Sequence, residues 1–339
     1  ASNNVPRFDH DFGTKESLGL LIEESRTNLV IYSEDISNNT TWIKQNGFPY
    51  VVNSVSSPDG NQTADTIYKS SSSQFLYTNT TVTGTYTLSA WIKSQNSNQN
   101  FSMQHYNGVD GSLGNTTFTA TTEWQRFSIT ASPTTSGGWY PCIPSNTNEN
   151  FYIWGVQLEA GSFATSYIPT SGSTVTRAAD IAKITGTNFS SWFNNTEGTI
   201  DVSYRLGLDT TANRIFQIGK STTTNDLLDI VSASGSGSGG YFYVNYGGVN
   251  QGSGPSVTNS AHTNSIFKVI AAYKENDVQA VNNKTTTVFT DTTVNIPSGL
   301  DELYFCQYNG SDQLNGHLQT AKYYPKRLPL AQLRGLVQE

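Results

Sequence analysis

Few of its residues are charged: only 13% of the 339 residues are Asp, Glu, Lys or Arg, and the net charge is −7. A phosphate-backbone partner needs clustered Lys and Arg, and the 19 basic residues are scattered, so nucleic acid is not an expected ligand. No apolar run approaches the ~20 residues that cross a bilayer as a helix, and no charged-then-apolar leader opens the chain, so membrane insertion is not expected. Cys142 and Cys306 are the only cysteines, too few and too far apart for a disulfide framework or a thiolate metal cluster. The four histidines, His10, His105, His262 and His317, show no metal-ligand spacing, and there is no Gly-x-Ser-x-Gly elbow or phosphate-cradling loop. The remaining enzymatic option is a carboxylate pair of the kind glycosidases use. The pairs nearest in sequence, Asp226 with Asp229 and Asp301 with Glu302, are an odd step apart and point to opposite faces of a strand. Catalysis is therefore not expected.

What is present is the composition of strands and turns. Ser, Thr, Asn and Gly fill much of the chain, and 18 Tyr, 16 Phe and 6 Trp are more aromatic surface than a disordered chain carries. The length suits two domains. Short apolar-alternating runs separated by turn signals such as Pro58-Asp-Gly60, Asn107-Gly108 and Gly137-Gly138 recur up to about Thr170. Eight more follow, from Gly198–Tyr204 to Leu314–Tyr324. The expected architecture is all-β: two consecutive antiparallel β-sandwich (jelly-roll) domains and a short C-terminal helix, where Leu328, Leu330, Leu333 and Leu336 recur after Pro325. The expected boundaries are an N-terminal extended segment packing on the first sandwich (1–31), a first sandwich (32–170), a linker (171–180) and a second sandwich (181–339). Ser232 to Gly240, rich in Gly and Ser, reads as a hairpin loop. Ala1 to Pro6 lack an initiator Met, so the chain is expected to be an excised part of something longer.

Alternation along the strands divides residues between two faces. In Tyr86 to Lys93 the apolar set Tyr86, Leu88, Ala90, Ile92 faces a core and Trp91 faces away; in the next run Phe101 and Met103 face inward and Gln104 and Tyr106 outward. His105 falls on the core side. The two runs are therefore expected to share a polar face, on which Trp91, Gln104 and Tyr106 form a site in which rings stack on the C–H face of a sugar and amides read its hydroxyls. The alternative is that Trp91 packs under a loop or against the neighbouring domain. Trp124 and Arg126 extend that face or form framework, and Trp139 with Tyr140, beside two glycines, reads as an aromatic loop tip that grips a ligand or closes over the core. No cofactor is expected; a structural calcium ion is an option, where Asp and Asn oxygens crowd residues 209–213 and 225–226.

Two long stretches carry a family likeness. Arg7-Phe-Asp-His-Asp11, Ser17-Leu-Gly-Leu-Leu-Ile-Glu-Glu-Ser-Arg-Thr-Asn-Leu29 and Tyr32-Ser-Glu-Asp35, with residues 152–170 and Thr176-Arg-Ala-Ala-Asp180, resemble a module of bacteriophage virion proteins. The resemblance implies a carbohydrate-binding-module-like jelly roll followed by a laminin-G or concanavalin-like sandwich, which Ala321 to Leu336 would close. It implies a tail fibre, spike or capsid-decoration protein on the virion surface whose partners are host surface polysaccharide, further copies of itself and, through an upstream segment, other virion proteins. A purely structural role in capsid or fibre is the alternative, and depolymerase activity a distant third. The chain lacks the Glu-x-Asp-x-x-Glu strand of concanavalin-like glucanases.

Overall fold

A computed structural model describes residues 5–11, 13–206, 213–232, 238–254, 257–258, 266–307 and 313–338. The protein is almost entirely antiparallel β-sheet, and its chain divides into two compact units, residues 25–178 and residues 1–24 with 179–339. Most of the hairpin loop expected at Ser232 to Gly240 and of the acidic loop at 209–213 falls outside the described residues.

The first domain, 25–178, is a sandwich of two five-stranded sheets. Sheet I runs, in spatial order, Gly111–Ala120, Gln99–Asn107, Gly137–Pro144, Phe75–Thr80 and Trp42–Gln45. Sheet II runs Gln125–Ala131, Tyr86–Ser94, Asn150–Ala160, Ala64–Tyr68 and Tyr50–Val55. Gln99–Asn107 and Phe75–Thr80 bury every second side chain, as period-2 alternation demands. Leu88, Ala90 and Ile92 from one sheet meet Phe101, Met103 and Trp139 from the other in a closed core. Phe101 packs edge-on against Phe127 and Phe151, with centroids at 5.0 and 5.6 Å.

The second domain is also a two-layer sandwich. Sheet III has seven strands: Phe8–His10, Ser17–Ile22, Gly316–Tyr324, Glu197–Arg205, Ile266–Lys274, Val278–Asn282 and Phe289–Asp291. Sheet IV has six: Ala182–Thr185, Glu302–Phe305, Arg214–Lys220, Thr223–Val231, Tyr241–Tyr246 and Val249–Gly254. The C-terminal helix forms at Leu330–Leu336, opened by Pro329 in extended conformation, and buries Leu333 and Val337 against Ile270, Ala272 and Val281.

Two boundaries differ from expectation. Residues 1–31 do not pack as a unit on the first sandwich: Ser17–Ile22 pairs with Gly316–Tyr324 in the second domain, Leu20 opposite Leu318, and Ile22 enters that core. The physical reason is that Leu18, Leu20 and Ile22 need a sheet to cover them, and the one that accepts them is built almost 300 residues later. Nor is 171–180 a bare linker: Val175–Arg177 pairs with Arg26–Asn28 in a two-stranded ribbon. The first domain is thus an insertion into the second, and the ribbon joins its two ends.

At this crossing Arg7 binds Glu23 at 2.8 Å and Asp180, while the Glu23 backbone N–H donates to Asp180 at 2.8 Å. Deleting residues 1–22 is expected to lower the melting transition of the second domain and leave that of the first in place. Burial of Leu20 and Ile22 alone contributes roughly 3 kcal/mol. Differential scanning calorimetry of the deleted chain checks this; a shift confined to the first transition would contradict the pairing.

Candidate functional site

The sequence expectation placed Trp91, Gln104 and Tyr106 on one face. They are not. Tyr86–Ser94 lies in sheet II and Gln99–Asn107 in sheet I, so their outward faces are the two opposite outsides of the sandwich. Consecutive strands of a sandwich can pair within a sheet or cross between sheets, and alternation alone does not distinguish the two.

The outside of sheet II is roofed. Trp91 is half-buried in a small cluster with Trp124, Trp154, Tyr152 and Tyr167. The roof is the segment after Ala160: Tyr167 packs on Trp154 with centroids at 4.7 Å, the Arg126 guanidinium donates to the Thr165 carbonyl at 2.5 Å, and Thr87 Oγ1 donates to the Gly161 carbonyl at 2.8 Å. Lys93 lies over Trp124 and Tyr152 at 5.0 and 5.3 Å. Trp91 therefore packs under a loop.

The residues that hold this roof are those on which the family likeness rests. Gln157 Oε1 accepts the Ile168 backbone N–H at 2.7 Å and its amide donates to Glu159 at 2.6 Å. The fully buried Glu159 accepts from Thr165 N–H at 2.9 Å and from Thr165 Oγ1 at 2.6 Å, with Arg26 Nε 4.0 Å away. Asn28 donates to the Ile168 carbonyl at 2.9 Å and accepts from Val30 and Leu158 N–H. A buried carboxylate and two buried amides satisfied in this way fasten a loop, and their role here is structural.

The outside of sheet I is open and aromatic. Gly138 is its centre, with Tyr106 on one side and Asn79 on the other in cross-strand register; one step along, Tyr140 stands between Gln104 and Tyr77. Tyr77 and Tyr140 are stacked, centroids 4.8 Å apart and planes 28° from parallel, and Phe75 meets Tyr140 edge-on at 5.9 Å. Both tyrosines lean over Gly138, where a Cβ would lie 2.8 Å from Tyr77 Cδ2 and 2.9 Å from Tyr140 Cε2. The glycine is thus a notch that lets two rings lie down, a close-approach use of glycine in a strand.

Tyr106 stands free at 48% exposure, whereas Tyr140 is only 8% exposed, and burial, then the neighbouring Tyr77 and Tyr106, raise its phenol pKa. Around the rings lie hydrogen-bonding groups: Ser112 Oγ donates to Gln104 Oε1 at 2.5 Å, and Thr119 Oγ1 donates to Asn100 Oδ1 at 2.7 Å. The hairpin beyond Tyr106 is tied down by Asp110, which accepts from Asn107 Nδ2 at 2.9 Å and Thr134 N–H at 2.8 Å; these bonds hold its carboxyl at about 2.

None of the outward side chains along the five strands is ionised at neutral pH. The one lysine on them, Lys44, turns its ammonium to the Ile36 and Ser37 carbonyls at 3.0 and 2.9 Å. The surface can stack on an apolar ring face and exchange hydrogen bonds with hydroxyls; one ammonium, that of the buried Lys69, lies over the Phe75 ring at 5.7 Å and donates to the Pro144 carbonyl at 3.1 Å.

Of the five residues expected to bind a ligand, the structure brings together Gln104, Tyr106 and Tyr140, and removes Trp91 and Trp139. Trp139 is not at a loop tip: it is buried in the strand Gly137–Pro144 and packs on His105 with centroids at 4.7 Å. Of the two glycines before it, Gly137 is demanded by close strand approach, since a Cβ there would lie 2.5 Å from the Tyr106 carbonyl oxygen, and Gly138 makes room for the two tyrosine rings. Sequence reading missed Tyr77 and Phe75, although the alternation of Phe75, Tyr77, Asn79 against Leu76 and Thr78 carries the signal.

The second domain separates the acid pairs. Asp229 is buried under Arg214, while Asp301 accepts from Ser221 N–H and Oγ, both at 2.7 Å. Among the described residues no three His, Cys, Asp or Glu side chains converge on a point that could hold a metal ion.

No family model and no curated protein matches the chain. Among solved structures, the CBM40 of the Ruminococcus gnavus IT-sialidase is similar at a TM-score of 0.35 and 11% identity, over 42% of this chain and 83% of that one. Sheep Galectin-11, in a complex with glycerol, is similar at 0.26 and 11%, over 42% and 96%. The LG4-5 domains of the mouse laminin alpha1 chain are similar at 0.28 and 8%, over 97% of each chain. At these values the likeness is one of β-sandwich architecture and says nothing of ligand.

Proposed function

We propose that the first domain binds an uncharged saccharide on the outside of sheet I, across Tyr106, Tyr140, Tyr77 and Phe75. The observation that carries this reading is the pair Tyr77 and Tyr140 laid over Gly138, with Phe75 against Tyr140 and Tyr106 opposite the glycine, on a face whose strands direct amides and hydroxyls but no charged side chain outward. A sugar ring offers an apolar C–H face to stack and a rim of hydroxyls to hydrogen-bond, and both halves of that chemistry are met here. The absence of an outward charged side chain on the five strands favours a neutral glycan over uronic or sialic acids. The finer reading, a virion-surface protein that meets host polysaccharide through many copies, draws on the sequence resemblance alone; repetition on a particle raises a weak single-site affinity through effective concentration.

The test is a glycan array probed with the wild type, Tyr106→Ala and Trp91→Ala. Neutral glycans are expected to be retained by the wild type and by Trp91→Ala, and to lose most of their signal with Tyr106→Ala. Trp91→Ala is expected to cost about 2 kcal/mol of first-domain stability instead. Retention unchanged in Tyr106→Ala, or lost only in Trp91→Ala, would overturn the assignment.

A further inference from the structure

A glycine in the interior of a strand weakens it, so its presence asks for a cause: a positive φ, a neighbour too close for a side chain, or an approaching ligand. Most strand glycines of ordinary φ in this protein have the second cause. A Cβ at Gly198 would lie 2.6 Å from Tyr273 Oη, and one at Gly254 2.7 Å from Phe289 Cδ2. Gly219, in the strand Arg214–Lys220 of sheet IV, has neither cause: its φ is not positive, and a Cβ there would meet nothing within 4 Å. A register irregularity follows it toward Lys220, but one that its ordinary φ leaves open to any residue.

What lies over Gly219 is a cleft of about 240 Å³. Cross-strand register puts Leu227 on one side of the glycine and Glu302 on the other, so the floor is apolar at one edge and carboxylate at the other. The next row holds Gln217 and Tyr304, and the turn after Lys220 with Asp226 walls the opposite end.

Gln217 is a polar side chain only 4% exposed, lining the cleft, its amide N–H₂ directed to Asp229 at 3.4 Å. Glu302 accepts from Tyr304 Oη, itself at the cleft, at 3.2 Å, while the Asp226 carboxylate accepts the Gly247 N–H at 2.8 Å. Asp226 and Glu302, which the sequence pairs with Asp229 and Asp301, thus border one cleft.

We infer that this cleft is a second ligand site, one that takes a single hydroxyl-rich sugar ring bearing no acid group. The leucine and the bare glycine backbone accept the flat face of a ring. The Glu302 carboxylate, the Gln217 amide and the hydroxyls of Ser221 and Thr223 supply hydrogen-bond acceptors, which suits the O–H donors of a polyol, and Glu302 beside Gly219 repels the acid group of a carboxylated or phosphorylated sugar bound there; the Lys183 ammonium lies over the Tyr304 ring, 5.7 Å away. The site lies wholly in the second domain and stands independently of the reading given to sheet I.

The experiment is saturation-transfer NMR on the full chain with the methyl glycosides of glucose, galactose, mannose, N-acetylglucosamine and glucuronic acid at millimolar concentration. The wild type, Gly219→Val and Tyr106→Ala are compared. Valine suits a strand and enters open space at Gly219, so the melting profile is expected to stay unchanged. The expected result is transfer to at least one uncharged glycoside that persists in Tyr106→Ala and falls roughly fivefold or more in Gly219→Val, with none to the glucuronide. If Gly219→Val melts early, Glu302→Gln takes its place under the same criterion. The inference is overturned if the wild type gives no transfer, if the cleft variant matches it, if the glucuronide alone responds, or if Tyr106→Ala abolishes transfer that Gly219→Val keeps.

Discussion

Placing a side chain at Gly138 is expected to weaken saccharide binding more than removing any one ring around it. A Cβ there would stand 2.8 Å from Tyr77 and 2.9 Å from Tyr140, well inside van der Waals contact, so both rings must lift. Tyr140 cannot move alone, because it stacks on Tyr77 at 4.8 Å and takes the edge of Phe75 at 5.9 Å. The strand itself accepts a side chain, since Gly138 has no positive φ and its backbone pairs in regular register with Asn79 and Tyr106.

Gly138→Val is therefore expected to lower affinity for the bound glycan about thirtyfold, on the order of 2 kcal/mol, with overpacking costing about 1 kcal/mol of stability. Isothermal titration beside calorimetric melting separates the two effects. Wild-type affinity in a folded Gly138→Val chain would remove the outside of sheet I from consideration.

The second large effect is pH-dependent stability set by Asp229. This carboxyl is fully buried on sheet IV, held by Arg214 at 2.6 Å and Gln217 at 3.4 Å, and its Oδ1 has no hydrogen-bond partner. Burial pushes its pKa up to about 7 against the attraction of Arg214. The folded state then holds a proton that the unfolded chain, near 3.8, has released. The contribution of Asp229 is therefore fully present below about pH 4, is lost as pH rises through the window from about 4 to about 7, and stays lost above it.

The full span corresponds to on the order of 4 kcal/mol, or roughly 10 °C in melting temperature for a domain of this size. Asp65 in the first domain, raised by burial to about 6, acts in the same direction there. Asp110, held at about 2, acts in the opposite direction, and only at the acid edge of the window and below it.

Asp229→Asn is expected to flatten the second-domain slope between pH 5 and pH 8 and to raise its melting temperature at pH 8. The side chain of Arg214, 24% exposed, can reach water when its partner loses charge. Melting curves at several pH values check this, and a slope that survives in Asp229→Asn would show that another group drives it.

Much of the candidate face was legible residue by residue and illegible as a surface. Alternation in Gln99–Asn107 put Gln104 and Tyr106 outward and His105 inward, and the structure agrees. The same rule put Trp91 outward, and it is, but on the other sheet and under a roof. Tyr140 was recognised beside two glycines that looked like a turn. They are strand residues, glycine because neighbouring atoms leave no room for a Cβ. Period and composition report which way a side chain points; they do not report which strand lies beside it or what later segment covers it.

The sequence by itself determined that this is an all-β protein of two sandwiches with a short closing helix, because strand period, turn residues and scarcity of charge are local properties of the chain. Only the tertiary structure decided which strands share a sheet, that residues 8–22 complete the second domain, and that the first domain is inserted within it. It also decided that two tyrosine rings lie over Gly138, with Phe75 and Tyr106 beside them, and that a cleft opens over Gly219. These depend on pairings between residues tens to hundreds of positions apart, whose choice rests on the total burial achieved and leaves no mark on any single segment.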